Sequence, residues 1–167
     1  MARPSQACET LILLDSLQDY REFYLRLCSE GVKECALICE RLDPFIFNDG
    51  EIVDAISAMT RRHSKANVRV LVKKCRDIAK VRLKFVDLAK RLPSKIAIRK
   101  LTCEPQNKTI EYIVADRSSL LVRHNSDGYQ GFYNSSARPE AQNLLEEFDT
   151  LWERQSADIP DLKTLRI

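Results

Sequence analysis

Residues Lys108–Ser126 read "KTIEYIVADRSSLLVRHNS". Two runs of Ile, Tyr, Val and Leu, near 109–115 and 118–124, flank a polar bend that carries Asp116. Such residues fit a pleated, half-buried surface, so the pattern predicts two antiparallel strands joined by a hairpin. Many enzymes hold a nucleophile in a hairpin of this kind, so the stretch poses a question of chemistry as well as of fold.

Working towards the N-terminus, "SKIAIRKL" (94–101) alternates as a strand. "CRDIAKVRLKFVDLAKRL" (75–92) places Ile78, Val81, Phe85, Leu88 and Leu92 at helical spacing, and Pro93 ends it. "NVRVLVK" (67–73) and "ECALICERL" (34–42) are nearly continuous in apolar residues, as expected of strands covered on both faces, and Pro44 closes the second. Between them, 48–64 predicts a helix capped by Asn48 or Asp49, with Ile52, Ile56 and Met59 on one face. Residues 16–31 predict another, with Ser16 as N-cap, Gly31 as stop, and Leu17, Tyr20, Phe23, Tyr24 and Leu27 inward. "TLILLD" (10–15) reads as a short strand. After the hairpin, Pro139 opens a helix over 139–154 whose stripe of Leu144, Leu145, Phe148, Leu151 and Trp152 reads as core. A short tail follows.

Helices alternate with apolar strands and a hairpin follows. The expected fold is therefore α/β, a mixed sheet flanked by helices on both faces, with parallel neighbours wherever a helix joins two strands. Residues 1–9 are polar and expected to be loose; 10–167 form one domain, in keeping with a length of 167. No run of about 18 apolar residues predicts a membrane span. The N-terminus lacks an apolar signal region, so a cytoplasmic location is expected. The six cysteines form no C-x-x-C pair, and no histidine completes a zinc set near Cys35 and Cys39. They read as reduced, mostly buried thiols, and no metal or cofactor is expected.

Charge is unevenly spread. Residues 61–100 hold fifteen Lys and Arg against Asp77 and Asp87, while the rest of the chain holds twelve basic and twenty-two acidic residues. A basic block in an acidic chain is a candidate footprint for nucleic acid or another polyanion, with Arg61, Arg62, Lys65, Lys80, Lys84 and Arg91 as candidate contacts. The competing reading is a solvated helix face paired with acids such as Glu146, Glu147 and Asp149. Phe85 is the block's one aromatic and reads as core, so base stacking has no support there.

"VRVLVK", "YIVAD", "LLVRHN" and "AQNLLEEFDTLW" together resemble a half-unit of the phospholipase D-like superfamily. "RRHSKANVRVLV", "IVADRSSLLVR" and "EEFDTLWERQS" resemble a bacterial family of unknown function, in which a degenerate domain of this type stands alone or follows an acetyltransferase domain. The resemblance spans roughly 10–167. Active superfamily members carry H-x-K-x4-D and then G-S-x-N. One histidine attacks phosphorus, a second protonates the leaving group, and the lysine and asparagine hold phosphate oxygens. With Asp116 as the motif aspartate, Glu111 stands where the lysine belongs and Thr109 where the histidine belongs. Arg123, His124, Asn125 and Ser126 stand in place of the tetrad. The frame is expected without the catalytic apparatus: a module that binds a polyanion or a protein partner. Two alternatives are a phosphodiesterase whose site is assembled in a homodimer from His124 or His63, with Asp116, and a regulatory partner of an acetyltransferase. "HSK" (63–65) satisfies H-x-K, but Val70 occupies the aspartate position and the triplet reads as a helix end.

Overall fold

The computed structural model describes residues 11–30, 33–74, 82–103, 111–124 and 127–159. Eight strands and five helices follow in the order β1 (Leu11–Leu14), α1 (Leu17–Ser29), β2 (Glu34–Cys39), α2 (Pro44–Phe47), α3 (Gly50–Arg62), β3 (Asn67–Val72), α4 (Lys84–Arg91), β4 (Ile96–Leu101), β5 (Glu111–Ala115), β6 (Ser119–Arg123), β7 (Gly131–Asn134), α5 (Arg138–Arg154) and β8 (Ser156–Asp158).

All the strands join one mixed sheet in the order β1-β7-β6-β5-β2-β3-β4-β8. β2, β3 and β4 are parallel neighbours and every other pairing is antiparallel. The two βαβ units thus pair as expected. β1 does not: it runs in the direction of β2, but β5, β6 and β7 stand between them, and it pairs with β7 instead.

Alternation on the central strands divides the core. Cys35, Leu37, Cys39, Val68, Val70 and Val72 face α1, α3 and α4. Ala36, Ile38, Leu71, Tyr112 and Val114 face α5, packing on Ala141, Leu145, Phe148 and Leu151. Period-two side chains on strands buried from both sides need apolar residues at every position, which is why β2 and β3 read as continuous runs. Ile52, Ile56 and Met59 of α3 are buried as expected. Cys28, Cys35 and Cys39 are buried free thiols, while Cys103 is exposed; Cys8 and Cys75 lie outside the described residues.

Caps follow local chemistry. Ser16 accepts from the Asp19 N–H, and Asp49, rather than Asn48, accepts from the Glu51 and Ile52 N–H groups. Pro44 does not merely end a strand. The strand stops at Cys39, Asp43 accepts from the Phe45 N–H, and Pro44 opens α2. The third helix is described as Lys84–Arg91, shorter than 75–92; Ile78, Lys80 and Val81 lie outside the described residues. Gly131 faces Arg123 across the β6–β7 ladder, and a Cβ there would overlap the Val122 carbonyl, so only glycine fits. Among the described residues no helix is long and apolar enough to cross a membrane.

Candidate functional site

The hairpin closes with Asp116 and Arg117 at positive φ (49° and 63°), and the Ser118 N–H donates to the Ala115 carbonyl. The Asp116 carboxylate accepts from the Lys33 and Glu34 N–H groups, both at 2.8 Å. It anchors the first residues of β2 to the turn through one carboxylate oxygen, a structural role.

At the other end of the hairpin, Glu111 pairs with Arg123 in register. Arg123 Nη1 lies 3.4 Å from Glu111 Oε1 and 3.2 Å from Asp43 Oδ2, and all three side chains are almost fully buried. Arg123 Nε donates to the Gly128 carbonyl, Tyr129 Oη donates to Asp43 (2.7 Å), and the Glu40 N–H donates to Glu111 (3.1 Å). The guanidinium lies 4.4 Å from the Tyr129 ring centre and 5.9 Å from that of Tyr20. Burial pushes the Glu111 carboxyl above its ordinary range, against the pull of the Glu40 N–H, Arg123 and Lys73. Burial and the bond to Asp43 push the Tyr129 hydroxyl up to about 12. A cleft of about 280 Å³ opens above this cluster, rimmed by Arg41, Phe45 and Asp127.

The cluster joins residues that no sequence motif connects. Asp116 lies at the opposite end of β5, so Asp116, Arg123 and His124 do not converge. His124 follows β6 on the α5 side, its ring 6.2 Å from Phe132. His63 is the C-cap of α3, before β3 begins, so within one chain the two imidazoles lie at opposite ends of the sheet. Thr109 lies outside the described residues.

The basic residues gather elsewhere. Arg61 and Arg62 end α3, Lys65 lies in the loop before β3, Lys90 and Arg91 end α4, and Lys95 precedes β4. Helices that cross over between parallel strands run back against them. Their C-termini therefore reach the amino ends of β2, β3 and β4, where cations also meet the negative helix ends. Two of these cations serve the fold: Arg62 donates to the Cys28 carbonyl at 2.6 Å, and Lys95 Nζ donates to the His63 and Ser64 carbonyls. Nearby acids are engaged, Glu30 with Arg26 and Glu34 with Arg117. Among the described residues, Lys65, Lys90 and Arg91 form no ion pair. Lys84 stands at the other end of α4, about 10 Å along its axis from Arg91; Lys84, Lys90 and Arg91 line a groove of about 430 Å³ with Asp54 and Asp87.

The expected acidic partners of the basic block are engaged unevenly. Asp149 pairs with Arg69 at 2.9 Å, whereas Glu147 accepts from the Tyr112 hydroxyl at 3.1 Å. Trp152 is half-buried, stacked on Phe148. Among the described residues no group of three His, Cys, Asp or Glu is placed to hold a metal.

The fold is similar to that of TrmBL2, an archaeal chromatin protein whose structure is described as showing a novel mode of DNA binding. The TM-score is 0.63 at 16% identity, over 90% of this chain and 54% of that one. This chain thus spans about half the length of that structure, and the likeness is one of fold. Functionally curated proteins give no match. A family model described as a domain of unknown function (DUF7931) matches residues 16–165, and the chain belongs to that family.

Proposed function

We propose that the protein is a non-catalytic, phospholipase D-like module that binds the phosphate backbone of nucleic acid at the basic pole formed by the amino ends of β2, β3 and β4. The observation that carries this reading is the delivery of Arg61, Lys65, Lys90 and Arg91 to one end of the sheet, none of them in an ion pair among the described residues. The cleft at the other end supports it from the opposite side. Glu111 takes the place of a phosphate-holding lysine, and its carboxylate, with that of Asp43, repels a phosphate and engages Arg123 instead. The DNA binding ascribed to TrmBL2 agrees with the reading. Phe85 of α4 is buried, so the expected contacts are to phosphates and not to bases.

The test is fluorescence anisotropy with a labelled 20-base-pair DNA duplex over a series of salt concentrations. Four phosphate contacts give a log–log salt slope of about −3 to −4. Double charge reversal, Lys65→Glu with Arg91→Glu, is expected to weaken binding by more than about tenfold and to flatten the slope by about two. Arg154→Glu, beside the carboxyl end of β4 at the opposite end of the sheet, leaves it nearly unchanged. Wild-type affinity in the double variant refutes the reading, and absence of binding by the wild type turns attention to a protein partner.

A further inference from the structure

Among the described residues, α1, α3 and α4 with the short α2 cover one face of the sheet, and α5 is the one helix on the other. Its N-terminus is tied to the hairpin, the Ala137 N–H donating to the Ser118 carbonyl, and its C-terminus feeds β8 beside the end of β4. Among the described residues, this diagonal leaves the start of β3 and β4 only partly covered on the α5 side. Leu71 faces α5, so Arg69, two residues earlier, does too, as does Arg99, opposite Leu71 in register. Asn67, Arg69, Ala97 and Arg99 are all half-buried. The partly exposed patch is therefore a sheet face bearing two guanidinium groups, next to the pole at which β3 and β4 begin.

Both guanidinium groups are held in place by aromatic rings. Arg69 Cζ lies 4.9 Å from the Phe148 ring centre and 5.7 Å from that of Trp152, and Arg99 Cζ lies 5.3 Å from Trp152. Stacking fixes the side chains without using up their N–H donors. Those donors are poorly served. Arg99 Nε is buried with no hydrogen-bond partner, Nη2 reaches the Ser156 carbonyl at 3.2 Å, and Nη1 stands 3.9 Å from Asp158, beyond hydrogen-bond range. Arg69 has one close acid, Asp149 on α5, which is itself half-exposed. A phosphate oxygen offers the same acceptor chemistry as that carboxylate. The outward face of α5 carries exposed Glu146 and Glu153, so an anion reaches the arginines from the pole, along β3 and β4.

Resting on the polyanion reading above, we propose that Arg69 and Arg99 extend the basic pole onto this sheet face, and that Asp149 regulates the extension by occupying Arg69 until a phosphate displaces it. Neutralising Asp149 therefore strengthens binding, the reverse of what neutralising a cation does.

The same labelled duplex provides the test. Asp149→Asn is expected to bind about threefold more tightly, the scale of a half-exposed ion pair, and to steepen the salt slope by about 0.9. Glu146→Gln removes one charge from the same helix without freeing an arginine and is expected to leave the slope unchanged. Arg69→Gln added to Asp149→Asn cancels the gain. Equal gains from Asp149→Asn and Glu146→Gln, or no gain from Asp149→Asn while the Lys65/Arg91 reversal still impairs binding, overturn this inference and leave the pole intact. If the reversal has no effect either, both readings fall. Should Asp149→Asn prove unfolded by melting, Arg69→Gln alone decides: about twofold weaker binding supports the extension, and unchanged binding overturns it.

Discussion

Replacing Arg123 with methionine keeps most of the apolar stem and removes the charge. Wild-type Arg123 is 5% exposed and holds Asp43 and Glu111, themselves 9% and 5% exposed. Taking the cation away leaves two desolvated carboxylates, and breaking such a pair costs about 3–5 kcal/mol. A domain of this kind has a total stability of about 5–15 kcal/mol. At about 2–4 °C per kcal/mol for a chain of this size, the melting temperature falls by about 6–20 °C. The loss depends on pH. Burial raises the folded-state affinity of Glu111 for its proton above the ordinary value of 4.5. The native state therefore holds a proton that the unfolded state releases, and stability declines as pH rises from the ordinary carboxylate range through the raised value. Without Arg123 that window widens upward. Urea denaturation at pH 5 and pH 8 is expected to show the larger deficit at pH 8, and adding Glu111→Gln recovers part of it. A deficit under about 1 kcal/mol, or one equal at both pH values, refutes the buried-triad account.

Asp116→Ala is expected to cost about 2 kcal/mol or more, because two N–H groups lose their acceptor and alanine is strained at φ 49°; Asp116→Asn is expected to cost less, as denaturation curves would show. Asp49 is held below the ordinary carboxylate range chiefly by its bond to Arg21. Its contribution is present above the unfolded-state value and lost on acidification, so Asp49→Ala is expected to cost about 1–2 kcal/mol at neutral pH and progressively less below pH ~4. Burial pushes the Cys28 thiol up to about 12, and raises Cys35 and Cys39 as well. Iodoacetamide at pH 8 is therefore expected to label Cys103 in the folded protein and to spare these three, as read by peptide mass mapping.

What could be read from the chain was what depends on near neighbours. Ser16 and Asp49 announce helix starts because a cap acts over three residues. β2 and β3 announce themselves because burial on both faces fills every position. β7 and β8, four and three residues long, carry no comparable pattern: "GFYN" and "SAD" are extended because partners hold them so. Pro44 sends two messages, since the ring that cannot continue a strand also suits the first turn of a helix. The basic residues were visible one by one, but their gathering at a pole depends on the crossover sense of the two βαβ units. The Asp43–Glu111–Arg123 cluster had one faint signal, an acid at the head of an apolar strand. Its partners are 68 and 12 positions away, and only the antiparallel insertion of β5 and β6 beside β2 brings them together.

The place of β1 bears on how the molecule is made on the ribosome. Leu11–Leu14 emerges before the other strands of the sheet, yet among the described residues its ladder is with Gly131–Asn134. More than a hundred residues must be synthesised before that pairing exists. Until then the four apolar residues lack their partner strand, and Leu13, 78% exposed even in the finished fold, leaves a greasy strand open to chaperones or to another nascent chain. The sheet is closed on that side by its earliest strand, which must wait for its partner until five others have been made.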